Sequence, residues 1–203
     1  MNARNDTGRL PSTDTITQEP FTGSQKIYVA GVIHPDIRVP MREIHLGPTT
    51  SKLTGEVVEN NPSVVVYDSS GPYTDPEVQV DVCSGLQGLR SAWIERRGDT
   101  EVLENQTSAF GAERARDPEL EPIRFGGGRA PRRARAGARV TQLHYARRGV
   151  ITPEMEFVAI RENQRRAERA VEIRPQHEGA PLGAAIPEEI TPEFVRSEVA
   201  RGR

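Results

Sequence analysis

The chain has 203 residues, of which 35% are hydrophobic and only 5% aromatic, and it carries a formal net charge of −2 at pH 7. Backbone ordering costs about 1–2 kcal/mol per residue, more than so few apolar groups can offset along the whole length, so part of the chain is expected to be disordered or ordered only by a partner. The charge excludes gross attraction to nucleic acid, the single cysteine, Cys83, excludes an intrachain disulfide, and no apolar run reaches membrane-spanning length; the reading is a soluble, cytoplasmic chain with no membrane partner.

Residues 1–24 are polar and aperiodic, and are expected to form a disordered tail. Lys26–Ala30 alternates as a β-prone strand ended by Gly31, and Val39–Ile44 supplies a second strand after Pro40. Thr49 to Asn61 shows no sustained pattern. Ser63–Tyr67 contains three consecutive valines, which predicts a strand buried on both faces in a central position. The run from Asp68 to Pro72 breaks the chain. A helix is then predicted from a Ser84/Gln87 capping pair, with Leu86, Leu89, Trp93 and Arg97 on one stripe and Gly98 as its stop.

Residues 99–138 read as a loop-rich, arginine-bearing strap, with a short helix from Glu113 to Leu120 stopped by Pro122. The clearest helix start is Thr152-Pro153-Glu154, where threonine caps, proline fits the first position, and Glu154 and Glu156 meet the positive end of the helix dipole. Met155, Phe157, Val158 and Ile160 make its first turns apolar, and after Arg161 the helix turns polar. Residues 175–187 read as a linker, and Thr191-Pro192-Glu193 repeats the start signal for a last helix carrying Phe194, Val195 and Val199.

Each candidate for chemistry has a plainer explanation. Arg129, Arg132, Arg133, Arg135, Arg139, Arg147 and Arg148 could bind RNA or phosphate, but only Tyr145 is near to add stacking, so a solvated strap that pairs with carboxylates of the same protein or of a further domain is the favoured reading. Gly126–Gly128 lacks phosphate-loop spacing and a preceding strand. His34, His45, His144 and His177 share no ligand spacing with one another or with Cys83. His144 could orient a phosphate or carboxylate, although a structural hydrogen bond is favoured. Asp68, Asp75 and Asp81 surround a Gly-Pro turn, where aspartate is favoured for local hydrogen bonding alone. No catalytic, cofactor-binding or metal residue is assigned on these patterns.

Several ordered blocks carry a family resemblance: IYVAG, RVPMREI, VYDSSGPYTDPEV, GLRSAWIERRGD, the stretch from Val140 to Asn163, and ITPEFVRSEVARGR. Together, from about Lys26 to Arg203, they resemble phosphomethylpyrimidine synthase, the radical S-adenosylmethionine lyase of thiamine biosynthesis, which turns aminoimidazole ribotide into hydroxymethylpyrimidine phosphate. The resemblance implies an α+β fold: a small mixed sheet with packed helices, the N-terminal domain of a homodimeric enzyme whose TIM-type barrel would begin after residue 203. Residues 25–174 would be that domain, and 175–203 the linker and helix leading into the barrel. The family's 4Fe–4S cluster, its Cys-x2-Cys-x4-Cys motif and its S-adenosylmethionine would belong to the missing part. On this reading the fragment binds no cofactor, is inactive by itself, and has as partners the rest of the synthase chain and the second subunit, with no nucleic acid. The alternative is a stand-alone interaction module that binds RNA or an acidic partner through the arginine strap.

Overall fold

The computed structural model describes residues 23–81, 85–104, 107–123, 130–163, 187 and 189–203. Its centre is a three-stranded sheet of β1 (Ser24–Ala30), β2 (Arg38–Ile44) and β5 (Val64–Tyr67), in the order β1-β2-β5. Both pairings are antiparallel, so the sheet is not mixed as expected. Short connections between β1 and β2 return the chain alongside itself, which dictates that direction. The valine run of β5 also lies at an edge and is half-buried, not central. Three consecutive valines fit a strand covered on both faces, and here that cover comes from layers above and below the sheet, without a further strand beside it.

The central strand is β2, and it runs straight through Pro40, which pairs with Tyr28. Proline lacks the N–H that a central strand ordinarily uses. Its carbonyl accepts from Asp68 N at 3.1 Å, just past the end of β5 at Tyr67. N–H and C=O of one strand residue point to the same side, so the missing donor faces the place where the neighbouring ladder has already stopped.

Alternation along β2 sends Val39 and Met41 to one face, with Ile27 and Val65 beside them. There, Ile37, Val39, Met41, Trp93 and Phe157 form the core. Trp93 comes from α1 (Ser91–Arg97) and Phe157 from α4 (Pro153–Asn163), their rings 6.1 Å apart between centroids. Lys26, Tyr28 and Arg42 lie on the opposite face, under the segment that contains the 3-10 turn Gly71–Thr74. The sheet is thus the middle of three layers.

Helix α1 ends at Gly98 as expected, in the left-handed region at φ 67°. It begins only at Ser91, and Leu86 and Leu89 precede it, 40% and 58% exposed. Ser84 falls outside the described residues. The helix is short because its one buried side chain, Trp93, is all that the core face accepts from it.

Two further ladders were not legible as pattern. Thr49–Thr50 (β3) pairs with Val57–Glu59 (β4), and Thr100–Val102 (β6) pairs with Arg132–Ala134 (β7), in the middle of the stretch expected to be loop. Between β6 and β7, α2 spans Ala109–Arg116, earlier than expected, because Ser108 caps it through Gly111 N at 3.0 Å. A 3-10 segment, Pro118–Ile123, follows and includes Pro122 instead of stopping before it.

Helix α4 starts as its sequence dictates: Thr152 is 1% exposed and accepts from Met155 N at 3.4 Å. Met155, Glu156, Phe157 and Ala159 are buried, while Val158 faces outward at 36% exposure. Thr141 and Thr191 cap α3 (Gln142–Arg147) and α5 (Pro192–Arg201) in the same way. Helix α5 packs on α3 and α4. Arg196 Nη1 donates to Ala146 O at 2.6 Å, which satisfies a carbonyl at the end of α3. The expected tail up to residue 22, the polar stretch expected after Asn163 and the expected linker apart from Pro187 lie outside the described residues.

Candidate functional site

The densest polar constellation is built on the sheet face opposite the core. The Lys26 side chain is 2% exposed, and its Nζ faces Asp68 Oδ2 at 3.0 Å, Ser70 Oγ at 3.3 Å, Gly71 O at 2.7 Å and Thr74 Oγ1 at 3.2 Å. Arg42 donates to the same Asp68 oxygen through Nε at 3.2 Å and Nη2 at 3.1 Å, and to Ser24 Oγ through Nη1. Asp68 Oδ1 accepts from Ser70 N at 2.8 Å and from the Ser70 hydroxyl. Burial pushes the Asp68 carboxyl up, but the Ser70 side-chain and backbone bonds and the Lys26 ammonium outweigh it and draw it down to about 2. Beside it, Tyr28 donates to Asp75, and burial together with that carboxylate pushes the phenol up to about 12. Arg38 stacks over the same ring at 4.0 Å.

This arrangement holds charge in place; it does not poise a proton for transfer. The acid is fixed ionised and the phenol fixed protonated, whereas a general acid or base works near the operating pH. Asp68 and Asp75, expected around the turn, are brought to one sheet face, while Asp81 is exposed and its carbonyl accepts from Gly85 N at 3.0 Å.

A second constellation joins α4 to the β1–β2 loop. Glu156 is buried, and its Oε1 accepts from Val32 N at 2.6 Å and Ile33 N at 2.7 Å. Its Oε2 accepts from His34 N at 2.8 Å and faces His34 Nδ1 at 2.7 Å. Burial raises this carboxyl, and the Ile33 N–H, the His34 ring, the His34 N–H and the Val32 N–H lower it further than burial raises it. An ionised carboxylate only accepts, so Nδ1 of His34 carries the proton. Two residues earlier, Glu154 takes both terminal nitrogens of Arg97 at 2.9 and 3.0 Å and Arg90 Nε at 2.9 Å. In the sequence, Glu154 and Glu156 are legible only as partners of the helix dipole, because the groups that hold them lie 57 to 124 residues away.

The remaining histidines are structural or undescribed. His45 Nδ1 lies 2.9 Å from Ser63 Oγ, His144 packs edge-on to Tyr145, and His177 and Cys83 fall outside the described residues. Among the described residues no group of three His, Cys, Asp or Glu could hold a metal ion.

The arginine strap is largely spent on the protein itself. Arg132 reaches Thr100 Oγ1 at 3.1 Å and Glu95 at 3.4 Å, Arg133 pairs with Glu101 at 2.5 Å, and Arg135 donates to Thr100 O. Arg147 reaches Ala200 O at 3.4 Å. The contacts of Arg132, Arg133 and Arg135 set that part of the strap along the β6–β7 ladder, paired with the protein's own groups, the plainer of its two expected roles. Arg129 and Gly126–Gly128 lie outside the described residues.

One open groove of about 260 Å³ lies between α1, α3 and α4, lined by Leu89, Arg90, Trp93, Gln142, Glu154 and Phe157. Gln142 Oε1 accepts from the Thr152 hydroxyl at 2.7 Å, and its Nε2 is buried without a partner among the described residues. The groove is largely apolar, and its two charged lining residues, Arg90 and Glu154, are paired with each other at 2.9 Å.

Residues 20–101 match the family model of the ThiC-associated domain. The matched stretch covers the whole three-stranded sheet, the Gly71–Thr74 turn and α1. It thus contains the Lys26–Arg42–Asp68 cluster and the loop that binds Glu156. This stretch is similar to a ThiC-associated domain, and the match supports the resemblance to the N-terminal region of ThiC, phosphomethylpyrimidine synthase.

Proposed function

We propose that a chain built on this domain is the N-terminal part of a phosphomethylpyrimidine synthase, acting in thiamine biosynthesis as the scaffold of an enzyme whose chemistry lies elsewhere. The ThiC family is a family of enzymes. The reaction assigned to the whole protein is the conversion of aminoimidazole ribotide into hydroxymethylpyrimidine phosphate, with a 4Fe–4S cluster and S-adenosylmethionine starting radical chemistry. The observation that carries the assignment is the family match over residues 20–101. The scaffold role is supported by charged groups that are held by one another: Asp68 by Lys26 and Arg42, Glu156 by the 31–34 loop, Glu154 by Arg90 and Arg97.

The residues of this chain do not fit the cluster. A site-differentiated cluster of this kind takes three cysteine thiolates, and the chain has one cysteine. Any cluster of the whole enzyme is therefore held by other residues, and this chain's contribution is a rigid surface for the barrel and for a second subunit, in a cytoplasmic protein.

The competing reading, an RNA-binding or acid-binding module, needs a free basic face. Arg132, Arg133 and Arg135 are engaged with Glu95, Glu101 and Thr100, which favours the scaffold. The test is to express the chain in a thiamine auxotroph together with a synthase lacking its own N-terminal region. Growth without thiamine and co-purification of the two pieces are expected. Failure to co-purify, with both pieces folded, overturns the assignment.

A further inference from the structure

The β1–β2 loop binds the Glu156 carboxylate as a receptor binds a ligand, and we propose that residues 31–37 form a carboxylate-binding nest in their own right, with Glu156 as its tethered occupant. Three consecutive backbone N–H groups, of Val32, Ile33 and His34, converge on the carboxylate at 2.6, 2.7 and 2.8 Å, and the His34 ring adds a fourth contact at 2.7 Å. Successive amides turned to one point make a concave site of positive potential. Each carboxylate oxygen meets two donors, an arrangement that a planar, two-oxygen anion satisfies and a spherical halide does not.

The loop's shape is set by contacts in which Glu156 takes no part. Its ends are clamped by the β1–β2 ladder at Ala30 and Arg38. Inside it, Ile37 N donates to His34 O at 3.0 Å and Gly31 N to Ile37 O at 3.4 Å. Ile37 is fully buried in the core, and Asp36 is held by both terminal nitrogens of Arg96 at 2.9 Å. Gly31 leaves the room: a Cβ there would stand 3.0 Å from the Glu156 carboxyl and 2.4 Å from His34 O. A loop pre-shaped in this way keeps its site when the glutamate is gone. In the intact protein the tether holds the carboxylate at an effective concentration of about millimolar or above, so free carboxylates do not enter.

Truncation with chemical rescue separates a receptor from a mere salt link. Glu156→Ala removes a CH2–COO⁻ group, and acetate supplies nearly the same fragment from solution. Thermal unfolding of Glu156→Ala is followed in sodium acetate and in sodium chloride of equal ionic strength. Amide shifts of Val32, Ile33 and His34 are read by ¹H–¹⁵N correlation spectra. The expected result is a saturable rise in Tm with acetate alone, about 3–6 °C at ten times its Kd, with parallel movement of the three amides. The wild type and Glu156→Gln, whose amide fills the same space, show no rise specific to acetate. If Glu156→Ala is unfolded in chloride, recovery of its circular dichroism in acetate supports the nest. Equal behaviour in the two salts, unfolded or folded, overturns it, as does an acetate response of Glu156→Gln.

Discussion

Asn163 spends its side-chain amide on a single backbone unit, that of Ile190. Its Nδ2 donates to Ile190 O at 2.7 Å, and its Oδ1 accepts from Ile190 N at 2.8 Å. Asn163 is the last residue of α4, and Ile190 immediately precedes the Thr191 cap of α5. The two bonds fix where the chain re-enters after α4 and so register α5 on α3 and α4. The clamp thus ties the entry of the last helix directly to the end of α4.

Replacing Asn163 by Ala is therefore expected to loosen α5 before anything else. Two part-buried hydrogen bonds are together worth about 1–3 kcal/mol. Amide hydrogen exchange at Val195 and Val199 should accelerate, with exchange at Val64–Val66 unchanged. Uniform acceleration across both sets would show that α5 and the sheet open as one unit.

The Lys26–Arg42–Asp68 cluster predicts an acid limb to stability. Asp68 is 6% exposed and drawn from 3.8 to about 2 in the folded chain. A folded-state value below the unfolded one gives stability that is complete above about pH 4 and is lost as the pH falls through about 2, on the order of 2 kcal/mol in all. Asp68→Asn should remove this limb and cost about 3–5 kcal/mol at neutral pH, because two buried cations lose their counter-charge. Lys26→Met should cost less, since Arg42 still faces the carboxylate. Urea titrations of the three proteins between pH 2 and 7 read both effects.

What was legible in the sequence follows the range of the interaction that fixes it. Thr152 and Thr191 cap helices through amides three residues away, so both starts could be read from neighbours alone. Gly98 ends α1 for an equally local reason. The edge position of β5, the β6–β7 ladder and the three-sided grip on Glu156 depend on partners 20 to 124 residues distant. Nothing near Val64, Arg132 or Glu156 announces them. Ser84 and Gln87 misled because a capping pattern at the right spacing counts only if the following turns have a face to bury, and Leu86 and Leu89 stay exposed.

The engaged strap predicts little consequence for RNA. Arg133 and Glu101 are 64% and 42% exposed, and such pairs contribute about 0–1 kcal/mol each. Arg132→Ala, Arg133→Ala and Arg135→Ala combined should lower the unfolding midpoint slightly. Filter binding of single-stranded RNA should be negligible at physiological salt before and after the change. Submicromolar, salt-resistant binding that the triple change abolishes would restore the interaction-module reading.

Gly31→Ala tests how tightly the loop is built. Gly31 has ordinary backbone angles, so alanine brings no penalty of conformation. The difficulty is space: a methyl group would meet His34 O at 2.4 Å, well inside contact distance, and the Glu156 carboxyl at 3.0 Å. The carbonyl belongs to the loop's own turn, which Ile37 N closes at 3.0 Å, so it cannot withdraw without breaking that bond. Overpacking of this kind costs about 1–3 kcal/mol. The strain falls on the residues that grip α4, and exchange at Val32, Ile33 and His34 should rise more than exchange in β2. Trp93, the chain's only tryptophan, lies in the core beside Phe157 and provides the global readout by fluorescence during denaturation. A Gly31→Ala protein as stable as the wild type, with the three amides equally protected, would mean that the loop yields easily and that its grip on Glu156 is not pre-shaped.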